Sequence, residues 1–261
     1  MRSLPFVVIL AVASCLAWPA GAAQCTAQSG KQTAVLVELY TSEGCDSCPP
    51  ADRWLSSLQA NGFGTDKVVP LSLHVDYWDY IGWKDPYAKR VFATRQRKLA
   101  DLKRAKIIYT PQVLLQGQDF RRWDSREFAE TVGKLNRQAP RAKLGLALDA
   151  MDQRNAKVTL TAELFNPADR KDARVYLAAF ENKLKSEVAA GENKGKVLPH
   201  DFVVREWLGP IEFDSSARIE QKRVLPLLPN ADPKQSGIAA FVQDHMTGEV
   251  LQALMLPACS G

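Results

Sequence analysis

Cys45 and Cys48, inside Thr41-Ser42-Glu43-Gly44-Cys45-Asp46-Ser47-Cys48-Pro49-Pro50, are the residues best placed for chemistry. They stand between the apolar run Ala34 to Tyr40, which reads as a strand, and a segment with helical apolar spacing. Two cysteines with two residues between them at a strand-to-helix junction make a dithiol site for thiol–disulfide exchange. Unpaired N–H groups and the helix dipole stabilise a thiolate there. Cys45 is expected to be the attacking and more exposed sulfur. Cys48, one turn on, is expected to resolve the mixed disulfide. Asp46 beside Cys45 opposes the dipole. The plainer reading is a structural disulfide. A zinc site wants four ligands and no second cysteine pair exists, so no metal is expected.

His74, Asp76, Trp78 and Asp79 fall at the C-terminal end of a second apolar run, Val68 to Val75. In an open parallel sheet that end is the one bearing Cys45, where ligands gather. His74 could exchange protons with the thiols near neutral pH, or be a loop residue satisfied by backbone. Trp78, Tyr80 and Trp83 could floor a substrate groove or simply pack a long loop. Lys89, Arg90, Arg95, Arg97, Lys98, Lys103 and Arg104 give the next helix a basic face, which usually means solvated surface. His200 and His245 read as structural or surface residues. There is no Gly-rich phosphate loop, serine-nucleophile elbow or HExxH motif, and no cofactor is expected.

Met1-Arg2-Ser3, the apolar segment to Trp18 and Pro19-Ala20-Gly21-Ala22-Ala23 have the three parts of a secretory signal, 1–23, cut after Ala22 or Ala23. Val12-Ala13-Ser14-Cys15 resembles a lipoprotein cleavage box, but the apolar Leu16-Ala17-Trp18 behind it argues against an acyl anchor. The apolar run is short for a membrane span. The expectation is a soluble exported protein, bacterial periplasmic or secreted, with no membrane span in the mature chain. Cleavage would leave Cys25, Cys45, Cys48 and Cys259, an even count suited to an oxidising compartment. With Cys45 and Cys48 paired locally, the simplest remainder is a structural disulfide between Cys25 and Cys259. A net charge of +5 over 261 residues supports solubility more than nucleic-acid binding.

Two domains are expected from the length. After the dithiol, Ala51, Trp54, Leu55 and Leu58 give one apolar helical stripe, ended by Asn61-Gly62. Asp85-Pro86 reads as the start of a second helix, with Tyr87, Val91, Phe92 and Leu99 inward. Ile107 to Leu115 forms a strand opened by Pro111, and a short strand follows. Asp124 and Glu127 open a last helix through Phe128, Val132 and Leu135. This order, strand–dithiol–helix–strand–helix–strand–strand–helix, predicts an α/β thioredoxin-like domain over 31–139. Beyond Ala139-Pro140 the apolar period changes to two. Strands near 144–148, 158–164, 174–180, 202–207, 217–225, 238–243 and 250–256 predict a β-rich, sandwich-like domain over 141–259.

The segments TSEGCDSCPPAD (41–52), HVDYWDYIGWKDPYA (74–88) and YTPQVLLQG (109–117) resemble a bacterial family of predicted secreted thioredoxin-like proteins, domain of unknown function 1223. The resemblance extends to Glu192-Asn193-Lys194-Gly195-Lys196 and to His200 through Arg205. It implies a thioredoxin fold and supplies no substrate. By the same resemblance Thr110-Pro111 is a cis bond lying against the dithiol, with Pro111 presenting backbone to substrate. Glu38 resembles the buried acid that helps move the resolving thiol's proton, with one more residue before the cysteine than is usual. The leading expectation is an exported thiol–disulfide oxidoreductase or redox-partner protein acting on protein or small-molecule thiols and disulfides. Two alternatives are a periplasmic copper metallochaperone using Cys45, Cys48 and His74, and a non-catalytic binding or adaptor protein. Oligomeric state is not legible in the sequence.

Overall fold

The computed structural model describes residues 25–152, 154–227 and 231–257. The leader at 1–23 and Cys259, the expected partner of Cys25, lie outside them. The elements run β1 (Cys25–Gln28), β2 (Val35–Thr41), α1 (Cys48–Ser57), β3 (Val68–His74), α2 (Arg90–Leu102), β4 (Gln112–Leu115), β5 (Gln118–Asp119) and α3 (Arg126–Asn136). They continue with β6 (Ala142–Met151), β7 (Asn155–Leu164), β8 (Ala173–Glu181), β9 (Leu184–Glu187) and β10 (Val197–His200). The chain closes with β11 (Val203–Glu212), β12 (Arg218–Pro226), β13 (Ser236–Asp244) and β14 (Val250–Leu256).

These strands do not form an α/β domain followed by a β sandwich, as expected from the sequence. Strands make up 42% of the structure and helices 20%. One eight-stranded mixed sheet runs β14-β13-β8-β11-β3-β2-β4-β5, so it takes strands from both halves of the chain. The join is a parallel contact between β11 and β3 at Val203 and Ser72, where the Ser72 N–H donates to the Phe202 carbonyl at 2.8 Å. A separate four-stranded sheet, β1-β6-β7-β12, covers one face, and β9 and β10 form a two-stranded ribbon.

Alternation along β8 explains the join. Val175, Leu177 and Ala179 face one hydrophobic core with the four-stranded sheet. Tyr176, Ala178 and Phe180 face the other core, shared with β2, β3 and the helices. In β13, Ile238, Ala240 and Val242 go one way, and Ala239 and Phe241 the other. Strands apolar on both faces need cover on both; the four-stranded sheet covers one face, and α2, through Phe92, Ala93 and Leu99, helps cover the other.

Buried polar side chains stitch the halves together. Arg95 of α2 makes two contacts to Glu38 of β2, at 2.6 and 3.1 Å, and donates to Gln243 of β13 at 3.0 Å. Its guanidinium sits 5.0–5.1 Å from the ring centres of Tyr176, Trp207 and Phe241. Gln116, after β4, accepts from the Leu36 N–H and donates to the Val250 carbonyl. Arg95 was expected on a solvated face and is buried, whereas Val91, expected inward, is 42% exposed.

Candidate functional site

β2 ends at Thr41 and the chain turns through Ser42 to Ser47 into α1. Ser47 is the N-cap and Cys48 the first helical residue. Cys45 and Cys48 form a disulfide with a Cα–Cα separation of 5.5 Å. The Cys45 sulfur also lies 3.3 Å from the Ser47 hydroxyl. Cys45 is not the exposed sulfur that a helix-start position suggested: it is 1% exposed and Cys48 0%.

Two segments bury the pair. The first is a 3-10 turn, Asp76–Ile81. A side chain at Gly44 would meet Ile81 Cδ1 at 3.1 Å and Trp78 Cβ at 3.4 Å. The second is the turn of the β9–β10 ribbon. The fully buried Asn193 amide donates to the carbonyls of Glu43 at 2.9 Å and Cys45 at 2.8 Å. The Glu192 carboxylate accepts from the Asp46 N–H at 2.9 Å. Gly191, at φ +74°, lets the turn close on Ile81, which a Cβ there would meet at 3.0 Å. The second half of the chain thus caps the dithiol of the first.

A buried polar cluster underlies this loop. His74, ending β3, has Nδ1 2.7 Å from Asp85 Oδ2, and His200, ending β10, has Nε2 3.1 Å from Glu43 Oε1. The Glu43 N–H donates to Asp85, and the Trp83 indole to the Glu43 carboxylate. The two imidazoles are 4.9 Å apart, edge to face, with Tyr87 against both. Asp52, one turn beyond Cys48 on the buried stripe of α1, joins them. Thr41 faces Asp52, and among the described residues His74 Nε2 and His200 Nδ1 are buried without a hydrogen-bond partner.

Electrostatics follow from this packing. Burial pushes the Asp52 carboxyl above its ordinary value, partly offset by His200 and His74. Burial alone would lower His74, but the Asp85 carboxylate overrides it and the imidazole is raised. Burial would raise Asp85, and His74 holds it below the usual carboxylate range instead.

The expected site residues divide between this cluster and its surroundings. The Thr110–Pro111 bond is cis. The Trp78 indole donates to Thr110 Oγ1 at 2.6 Å, so one side chain spans from the dithiol loop to that bond. Asp76 opens the 3-10 turn, half-buried, outside the cluster. Glu38 does not serve the dithiol helix: Arg95 of α2 takes its carboxylate, while Thr41, three residues on and therefore on the opposite face of β2, meets Asp52 of α1. Asp85 does not cap a helix, because α2 starts at Arg90 and the Asp85 carboxylate accepts from His74, Glu43 and Tyr87. Among the described residues, no group of three or more His, Cys, Asp or Glu is arranged to hold a metal ion.

Sequence reasoning missed Asp52, Glu43, Asp85, Asn193 and the role of His200. Asp52 had a local signal, an acid four residues after Cys48 on an otherwise apolar stripe. Asn193 and His200 lie in the two second-half motifs that carried the family resemblance, without any local sign of contact with Cys45.

Two solved structures share this architecture. Protein AGR_C_4864 from Agrobacterium tumefaciens is 24% identical, with a TM-score of 0.63 over 89% of this chain and 98% of its own. HBP35 of Porphyromonas gingivalis is 13% identical, with a TM-score of 0.65 over 89% of this chain and 79% of its own. At such identities the likeness concerns the fold alone. No curated protein sequence matches the chain. Residues 36–243, including the dithiol loop, the 3-10 turn and the capping ribbon, match a family described as protein of unknown function, and the chain belongs to that family, DUF1223.

Proposed function

We propose that this chain is an exported thiol–disulfide redox protein whose working group is the Cys45–Cys48 pair. The observation that carries the reading is the bonded pair at the start of α1, set over a cluster of titratable side chains. Cys45 precedes the helix and exchanges with an external thiol or disulfide; Cys48, at the first helical position, is the resolving sulfur. Pro111 and Thr110, tied to the loop through Trp78, supply backbone beside it. Export is supported by the three-part leader in the sequence. Among the described residues no helix is long and apolar enough to cross a membrane.

Burial of both sulfurs means that exchange requires the cap to move. The β9–β10 turn is the part suited to this, because it belongs to a two-stranded ribbon outside both large sheets. The same burial favours a second reading, a binding protein with a structural disulfide. Insulin reduction with dithiothreitol as electron source separates the two. Turnover lost in Cys45→Ser and in Cys48→Ser supports the redox reading, and no turnover above the uncatalysed rate supports the second.

A further inference from the structure

The outer face of α2 carries charge that the fold leaves unmatched. Arg90, Arg97 and Lys98 form one exposed stripe of the helix, opposite the buried Phe92, Arg95, Gln96 and Leu99. Lys103, Arg104 and Lys106 extend it past the helix end, all exposed. Nearby ion pairs use other cations, Lys89, Arg95, Arg121 and Arg122. Among the described residues, none is formed by these six. With Asp101 as the one acid among them, the patch carries +5, which equals the net charge of the whole chain. Everything outside it therefore sums to neutral. A solvated face ordinarily mixes both signs, and this one does not.

The patch runs into a pocket. Ile107, 67% exposed, follows the last cation. With Tyr109, Arg121 and Trp123 it lines an open pocket of about 340 Å³. That volume takes a small ligand or one large side chain. Trp123 packs on Trp54 of α1 with ring centres 5.1 Å apart. Both features border the cover of the dithiol. The Arg97 guanidinium lies 5.8 Å from the ring centre of Tyr77, in the 3-10 turn. Tyr109 precedes Thr110, which accepts from the Trp78 indole.

We propose that the outer face of α2 and the loop after it dock an acidic segment of a protein partner, with an apolar or aromatic side chain of that segment in the Ile107–Tyr109–Trp123 pocket. The thirteen residues of α2 span about 20 Å, the reach of about six extended residues. Opposite charge along that length steers encounter and selects the partner, and the pocket sets its register. A planar lipid surface would meet the cations and leave the concave pocket empty, so the shape fits a polypeptide. Docking stands without the redox reading. That reading adds, and this one step rests on it, that the docked partner's thiol or disulfide is delivered to Cys45–Cys48.

The test is fluorescence anisotropy of a synthetic peptide, eight glutamates followed by glycine and tryptophan, carrying an uncharged dye. It is titrated with the mature oxidised chain. Binding should saturate and weaken with added salt. An exposed ion pair is worth about twofold, so Arg97→Gln, Lys98→Gln, Lys103→Gln and Arg104→Gln together should weaken it on the order of 20-fold. Lys143→Gln, Arg154→Gln, Lys157→Gln and Lys222→Gln remove the same charge from elsewhere and should change it by less than about threefold. Ile107→Ser should erase the advantage of this peptide over one ending in serine. Should the α2 variant not fold, carbodiimide cross-linking of the peptide to wild type decides: links to Lys98, Lys103 or Lys106 support the proposal, and links only elsewhere overturn it. No peptide binding, equal losses in the two fourfold variants, or patch-dependent binding to phosphatidylserine vesicles with none to the peptide would each overturn it. Peptide binding that persists in Cys45→Ser/Cys48→Ser while wild type reduces no insulin would keep the docking and remove the redox reading alone.

Discussion

Replacing Asn193 by alanine should open the dithiol to small thiols. In the closed state the Asn193 amide donates to two carbonyls of the dithiol loop, at 2.9 and 2.8 Å, and is fully buried. Each such bond has a net worth of about 1 kcal/mol, and more where its loss strands a buried carbonyl. In the open state water serves those carbonyls, so the cost falls on the closed form alone. Removing both bonds shifts the opening equilibrium by about 2 kcal/mol, or roughly 30-fold at 1.4 kcal/mol per decade. Pseudo-first-order reduction by dithiothreitol, quenched with acid and read by mass after alkylation, should accelerate by that order. Glu192→Ala, which removes a contact at an exposed position, should change the rate by less than about threefold. Unfolding rates measured separately in denaturant give the global route. Three results refute the reasoning: an Asn193→Ala rate equal to wild type, a Glu192→Ala effect as large, or wild-type reduction no faster than global unfolding.

Three further outcomes follow from other contacts. Arg95→Met leaves the buried Glu38 carboxylate without its partner and should cost about 3–5 kcal/mol; adding Glu38→Gln should recover much of it, both read by urea unfolding. Gly117→Ala places a Cβ 2.1 Å from the Gly248 carbonyl oxygen at φ +76°, so stability should fall by about 3 kcal/mol or more and the melting midpoint by roughly 6–12 °C. The raised imidazole of His74 contributes stability in full below its ordinary 6.5, lost as pH rises through its folded value. The lowered Asp85 contributes above its ordinary 3.8, lost as pH falls through its folded value. Urea stability should therefore decline as pH rises above about 6.5, and His74→Asn should flatten that decline; an equal slope in the variant would count against the pair.

Local patterns carried the elements, and long-range pairing was out of their reach. The stripe Ala51, Trp54, Leu55, Leu58 and the run Val68 to Val75 told helix from strand because burial on one face or two leaves its own period in the sequence. The strands β6 to β8 and β11 to β14 were legible for the same reason. What failed was the assumption that a change of period at Ala139-Pro140 separates two cores. The sign against it was β8, Ala173–Glu181, whose apolar residues run without alternation and so needed cover on both faces. Arg95 shows the limit from the other side: a cation amid a basic helix reads as solvated until Glu38, 57 residues earlier, and three rings from distant strands surround it. At the site, the dithiol and the cis bond were readable from short motifs. Burial of Cys45 was not, because its cover comes from Asn193, 148 residues away.

The most direct test of the central claim is a redox titration of the native protein. The mature chain is equilibrated in oxidised and reduced dithiothreitol mixtures of known potential, quenched with acid, and alkylated for peptide mapping. The account predicts that Cys45 and Cys48 change state together, reversibly, as a two-electron couple, at a potential above roughly −300 mV, where exchangeable rather than structural disulfides lie. A pair that stays oxidised below that potential for as long as the fold survives, or that is reduced only once and does not re-form, would contradict it.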